Sequence, residues 1–268
     1  MDVCFRKPTK RYEWLVKQYE AIRSSEDADV LEKFIPREDV SLVFHFGTSP
    51  FMLNPPIGRL PSYFIAPVTS VSRMMRINAS CTTFIVTCRP SVLSRIFNLN
   101  LDSEESIYAN LPVDPFEGLR NRLGMYNSVD KWIVCFESFI DEYFPSEYVP
   151  DYIDVFYDKI VDTALEKAIT DIEGEFLVSA RTLQRQFIKR VGTSPKRLER
   201  IIRVNRIWES IKSGVTIDYQ NIVFKGKYYD QSHFIREFKE ITGETPDRFF
   251  KRDLSNVKIM SGKGCGGE

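Results

Sequence analysis

Two short stretches of this 268-residue chain carry arginine and glutamine at spacings suited to gripping the edges of DNA bases. Arg181, Gln184 and Arg185 form one set, and Gln231, Ser232, His233 and Arg236 form the other. Arginine bonds bidentately to guanine and glutamine to adenine in the major groove, which is what sequence-specific reading requires. Lys189, Arg190, Lys196 and Lys239 flank the two sets and suit phosphate oxygens, which position a protein without specifying sequence. His233 divides between a base or phosphate contact and a packing or capping role near a helix start. Other chemistry finds little support. A thiol hydrolase would need Cys81 or Cys88 beside His45, yet no nucleophile elbow, P-loop, dinucleotide fingerprint or metal constellation accompanies them. His45 reads as a satisfied core or edge histidine, and Cys81 and Cys88 as small buried apolar groups. No catalytic residue, metal or cofactor is assigned, and the chain is expected not to be an enzyme.

The elements that position the two sets are an internal duplication. Ser179–Arg197 and Asp230–Arg248 superpose at a displacement of 51 residues. Ser179 and Asp230 are good N-caps, since their side chains accept a bond from an orphan backbone N–H. Leu183 and Phe187 in one copy, Phe234 and Phe238 in the other, lie four apart and bury one face of a helix. Gly192 and Gly243 can stop each helix in the left-handed conformation, and Ser194-Pro195 and Thr245-Pro246 can start the next. The arginines and glutamines fall on the opposite faces. Between the copies runs a helix from Pro195 to Lys212, with Leu198, Ile201, Ile202, Ile207, Trp208 and Ile211 as its apolar side and Gly214 as its stop. At about 1.5 Å per residue it spans roughly 26 Å. That is the order needed to hold two reading helices in successive major grooves, about 34 Å apart.

Charge agrees with this placement. The chain has 37 Lys and Arg and 37 Asp and Glu, which taken alone argues against a polyanionic partner. Between Phe176 and Arg252, however, lie 17 of the basic and 8 of the acidic residues, a local charge of +9 that the remainder cancels. A basic block on an acidic remainder is the footprint of a nucleic-acid-binding module.

The stretches Ser179-Ala-Arg-Thr-Leu-Gln-Arg-Gln-Phe, Gly192-Thr-Ser-Pro, and Tyr228-Tyr-Asp-Gln-Ser-His-Phe-Ile-Arg-Glu-Phe-Lys with Thr242-Gly-Glu-Thr-Pro resemble the DNA-binding domain of AraC/XylS-type transcription regulators. The resemblance covers about residues 169–252. It implies two helix-turn-helix units that bind adjacent major grooves of double-stranded DNA. It also implies base-reading positions at Arg181, Gln184, Arg185, Gln231, Ser232, His233 and Arg236, and an N-terminal domain that senses an effector or dimerises. Further candidate partners are RNA polymerase, a small-molecule effector and a second copy of the chain, with the chain acting as an activator. Residues 30–97 resemble, more loosely, an N-terminal domain found in some of these regulators. The chain departs from the pattern at Glu173 and Val223, where a small residue is usual, and at Lys227, where glycine is usual. Positive φ at Lys227 would cost roughly 1 kcal/mol relative to glycine. These departures motivate an alternative, a sensor or protein-interaction protein with a degenerate helix-turn-helix pair.

The rest of the chain reads as an α+β protein. Residues 1–150 are expected to form a mixed strand and helix domain of sensor or dimerisation type, 151–260 an all-α domain with two helix-turn-helix units joined by a central helix, and 261–268 a disordered tail. Residues 1–35 show Trp14, Leu15, Tyr19 and Ile22 at helix-like spacing. Val40–Phe46, Tyr63–Ala66 and Thr82–Cys88 are β-branched and aromatic runs that read as strands of one sheet. Pro90 opens a short helix through Phe97, and Val129–Phe144 carries an aromatic stripe. Pro145 and Pro150 bracket a junction. The five cysteines, Cys265 among them, follow no zinc spacing. The uncharged run 40–58 contains Pro50, Pro55 and Pro56 and is no membrane helix. With no signal peptide recognisable, a cytoplasmic setting without membrane contact is expected.

Overall fold

A computed structural model describes residues 1–54, 57–102, 111–144, 147–164, 166–210, 218–251 and 253–261. Several expectations fall outside these residues: Pro55, Pro56, Pro145, Ile211, Lys212, the stop at Gly214, Arg252, Cys265 and the tail beyond Ser261.

The first 35 residues are strands, not the helix that their spacing suggests. They form β1 (Asp2–Arg6), β2 (Val16–Ser24) and β3 (Val30–Phe34), with a 3-10 turn at Lys10–Tyr12. The reason lies in β2, which is buried on both faces. Tyr19 and Ala21 enter the main core while Glu20 and Ile22 point into a cavity on the other side. Strands covered on both faces lose the apolar–polar alternation that identifies them. Next come β4 (Val40–Gly47), β5 (Phe51–Met52), β6 (Gly58–Arg59), β7 (Tyr63–Ala66), β8 (Arg73–Ile77) and β9 (Cys81–Cys88). The expected strands β4, β7 and β9 do share a sheet, an antiparallel one of order β1-β2-β9-β4-β7. A second sheet, β3-β8-β5-β6, was not foreseen, because two of its strands have two residues each and β8 reads Arg-Met-Met-Arg-Ile.

Register fixes what each face carries. Leu42 pairs with Val86 and Phe44 with Phe84, facing the helices; Val43 pairs with Ile85 and His45 with Thr83, facing the second sheet. The helices are α1 (Pro90–Ile96), α2 (Val113–Gly124), α3 (Val129–Tyr143), α4 (Tyr152–Thr163), α5 (Ile169–Glu173), α6 (Ala180–Val191), α7 (Pro195–Ser210), α8 (Tyr219–Lys225), α9 (Gln231–Thr242), α10 (Pro246–Phe250) and α11 (Ser255–Met260). Trp132, Phe136, Phe139 and Ile140 of α3 bury their stripe, and Trp132 lies 5.5 Å from the Phe84 ring. Asp151 starts α4 with a capping box, its carboxylate accepting from Ile153 and Asp154. One continuous apolar core runs from the first sheet through α3 and α4 to α6, α7 and α9. Helix α11 packs on β3, and Ile35 N–H donates to the buried Ser261 hydroxyl at 3.0 Å. Ser261 is therefore anchored, contrary to the expected tail. Among the described residues no helix is long and apolar enough to cross a membrane.

Between the sheets lies a cavity of about 90 Å³. Its walls are mostly apolar, among them Ile22, Phe34, Met52, Phe64, Met75 and Ile77, with Glu20, Arg37, His45, Thr69 and Arg73 as polar members. Glu20 is answered by Arg37 at 3.0 Å and by the Thr87 hydroxyl at 3.1 Å. His45 Nδ1 lies 2.9 Å from Thr83 Oγ1, while its Nε2 has no hydrogen-bond partner among the described residues. Burial lowers the His45 pKa to about 4, so the ring is neutral at pH 7.

This pKa has a stability consequence. The unfolded chain accepts a proton near pH 6.5 that the folded chain refuses. The His45 contribution is thus complete above about pH 6.5 and is lost as pH falls toward 4, by up to about 1.4 kcal/mol per unit. Urea unfolding from pH 7 to 4.5 should show the parent protein losing more stability than His45→Gln. Parallel curves would refute the assignment.

Candidate nucleic-acid interface

Both candidate reading helices are twelve residues long and built alike. Helix α6 starts where the Ser179 hydroxyl accepts from Thr182 N–H, and it stops at Gly192, whose φ is 87°. Helix α9 starts where the Asp230 carboxylate accepts from His233 N–H at 2.7 Å and stops at Gly243, φ 78°. Leu183, Phe187 and Val191 are buried beneath α6, and Phe234, Phe238 and Ile241 beneath α9. The outward faces carry Arg181, Gln184, Arg185 and Lys189 on α6, and Gln231, Ser232, Arg236 and Lys239 on α9, all exposed; Lys196, on α7, is exposed too. His233 differs. It is half-buried, with its ring edge-on to Tyr228 at 5.3 Å, so a packing role is present whatever else it does.

Helix α7 is the common support, packing against α6 on one side and α9 on the other. Its Leu198, Ile201, Ile202, Val204, Ile207 and Trp208 are buried, and its sixteen residues span about 24 Å. Polar bonds fix α9 onto it. Buried Glu237 accepts from Arg200 Nε and from the Tyr228 hydroxyl, each at 2.8 Å. Glu240 accepts from Arg197 and Arg200, whose bonds hold its carboxyl below the usual carboxylate range. Burial and then Glu237 push the Tyr228 phenol well up, keeping it a donor.

A family model described as a helix-turn-helix domain matches residues 174–252. Residues 174–252 are thus a helix-turn-helix domain. Among solved structures, the chain is similar to ToxT from Vibrio cholerae at 17% identity, covering 87% of this chain and 97% of that one with a TM-score of 0.45. The same protein with an unsaturated fatty acid bound gives 16%, 92% and 97%, and 0.46. The AraC-like transcriptional activator CuxR gives 10%, 85% and 91%, and 0.25. No curated protein matches the chain.

The domain absorbs its three departures without breaking either turn. Glu173, 9% exposed, accepts from Gln184 Nε2 at 2.6 Å. Val223 is half-buried against the core. Lys227 adopts φ 51°, and its N–H donates to Phe224 C=O at 3.3 Å, closing the turn before α9. Sequence reading treated Lys227 as a strain and overlooked that Lys225 and Lys227, with Phe224 and Tyr229 at 83% and 92% exposure, stand beside the start of α9. Interleaved bases and aromatics in that turn were the available signal.

Arg190 requires a correction. Its side chain is 13% exposed and turns away from the phosphate-facing side, donating to Ser91 C=O, to Asp151 at 2.7 Å and to Asp154 at 2.8 Å. Burial raises the Asp151 pKa, but the Arg190 bond, the backbone bond with Asp154 and the charges of Arg190 and Arg95 together outweigh it and leave the carboxyl below its ordinary value. Spacing alone could not separate Arg190 from Lys189, because both lie in the last turn of α6.

The front half of the chain also reaches the carbonyl ends of both reading helices, which sequence reasoning did not anticipate. Leu101 N–H donates to Lys189 C=O at 2.9 Å, and a side chain at Gly192 would meet Leu101 C=O at 2.8 Å. At α9, Ser72 N–H donates to Ile241 C=O at 2.9 Å, and the Ser72 hydroxyl to Thr242 C=O at 2.7 Å. The Lys33 ammonium donates to Thr242 C=O at 2.9 Å and to Glu244 at 2.8 Å. These are the orphan carbonyls of a helix end, and a cation beside them also suits the helix dipole.

Replacing Arg190 by alanine leaves buried Asp154 with only the longer Arg95 ion pair at 3.4 Å and should lower unfolding stability by about 3 kcal/mol. The salt dependence of DNA binding should not change, whereas Lys189→Ala should flatten it. Urea denaturation and a salt titration of binding test the pair, and a flattened slope for Arg190→Ala would restore it to the phosphate contacts.

Proposed function

We propose that the protein is a DNA-binding transcription regulator that reads one duplex with α6 and α9 in successive major grooves. The observation that carries this is the duplicated capped helix, anchored underneath by apolar residues and baring arginine and glutamine outward, mounted twice on one rigid helix. In this reading Arg181, Gln184 and Arg185 contact bases in one groove, and Gln231, Ser232, His233 and Arg236 in the next. Lys189, Lys196 and Lys239 contact phosphates. A reading surface of this kind needs no catalytic step. Burial raises the thiol pKa of both Cys81 and Cys88, the opposite of what a nucleophile requires.

Residues 1–150 serve here as the modulating domain, with the cavity between the sheets as the effector site. Its walls suit an apolar molecule, and the unpaired His45 Nε2, Thr69 hydroxyl and Arg73 Nε offer polar anchors. The route outward is short. Phe34 and Arg73 line the cavity, and the next residues in the chain, Lys33 and Ser72, hold the end of α9. RNA polymerase and a second copy of the chain are partners of an activator already on its site, and reading itself requires neither.

Selection of bound sites from a random duplex pool with the full chain should return two sequence boxes centred about one helical turn apart. Arg236→Ala should then cost about 1–3 kcal/mol on the selected site and relax preference within one box. Lys196→Ala should weaken binding to all sequences equally and reduce the salt slope by about 1. Unchanged preference for Arg236→Ala, in a folded protein, would remove α9 from the reading surface.

A further inference from the structure

We infer that Glu173 is a positioning residue that sets the amide of Gln184 for reading adenine, a deepening of the DNA-reading role on which it rests. Glu173 ends α5 and is 9% exposed, at the place where α5 passes under α6. Among the described residues its carboxylate has one hydrogen-bond partner, Gln184 Nε2 at 2.6 Å. Gln184 itself is exposed, between Arg181 and Arg185 on the outward face of α6.

The chemistry of the two groups decides the orientation. A carboxylate only accepts, whereas the amide has two N–H donors on one side and a carbonyl acceptor on the other. Glu173 therefore binds the nitrogen side of Gln184, and flipping the amide would set its oxygen against a negative charge. One N–H is committed to Glu173. The other N–H and the carbonyl stay free and in fixed order, the donor–acceptor pair that matches adenine N7 and N6. The second unit has no such device. At the crossing position that corresponds to Glu173 it has Val223, which is half-buried and carries no carboxylate, and 51 residues beyond Gln184 it has Ile235, which has no amide. A buried glutamate where a small residue would fill the helix crossing thus acquires a purpose in the first unit alone.

The test is site selection and competition binding with the full chain as the parent protein, Glu173→Ala, Glu173→Gln, Gln184→Ala and the Glu173→Ala/Gln184→Ala double variant. The parent should prefer adenine at one position of the box read by α6. Glu173→Ala and Gln184→Ala should each reduce that preference about tenfold, and the double variant no further. Preferences in the box read by α9 and affinity for random duplex should stay as in the parent, which a general loss of structure would not allow. Glu173→Gln keeps an acceptor oxygen but permits the flip, so it should retain part of the preference. An intact adenine preference in Glu173→Ala, or tighter binding because Glu173 had been restraining Gln184, would overturn the inference while leaving the DNA reading in place. A parent protein that selects no sequence at all would overturn both.

Discussion

A twelve-residue helix is marginal in water when left to itself, so the protein can present α6 and α9 only by burying their undersides. Everything else in the C-terminal region follows from that constraint. Helix α7 supplies the apolar surface for both, and the glycines at 192 and 243 end each helix before its exposed side can drift into the next element. The Glu237 and Glu240 ion pairs add direction to what apolar packing alone would leave free to slide. Of these only the Glu237 pair is buried, and a buried pair is by itself weak evidence of net stability.

The same constraint explains why the front half is not a detachable appendage. The apolar core runs without a break from the first sheet to α9. The helix ends meet the front half at separate places, α6 through Leu101 and α9 through Lys33 and Ser72. Both anchors of α9 adjoin the second sheet, because Lys33 belongs to β3 and Ser72 immediately precedes β8. Cavity walls and helix anchors that adjoin along the chain form a short mechanical path, with no need for a longer chain of contacts.

Much of the helical region was legible in the sequence because its signals are local. N-caps at Ser179 and Asp230, the four-residue spacing of Leu183 with Phe187 and of Phe234 with Phe238, and the stopping glycines each act within one or two turns. The strands β4, β7 and β9 declared themselves by β-branched and aromatic runs. Three things were not legible, each for a physical reason. Strand β2 is covered on both faces, so Tyr19 and Ile22 imitate a helical stripe. The second sheet depends on pairing between short segments far apart in the chain. The fate of Arg190 depends on Ser91 and Asp154, which lie 99 and 36 residues away. Glu173 and Lys227 were visible as departures, but only the fold shows what each one does.

The inward-turned arginines bear on how the protein finds its site. Arg190, Arg197, Arg200 and Arg203 are mostly buried and bonded to carboxylates, and Arg206 donates to the carbonyls of Val161 and Ala164. A good part of the basic block is therefore occupied with internal architecture and displaces few condensed counterions from a duplex. In the proposed reading, the exposed Lys189, Lys196 and Lys239 then carry the salt-dependent part of the attraction.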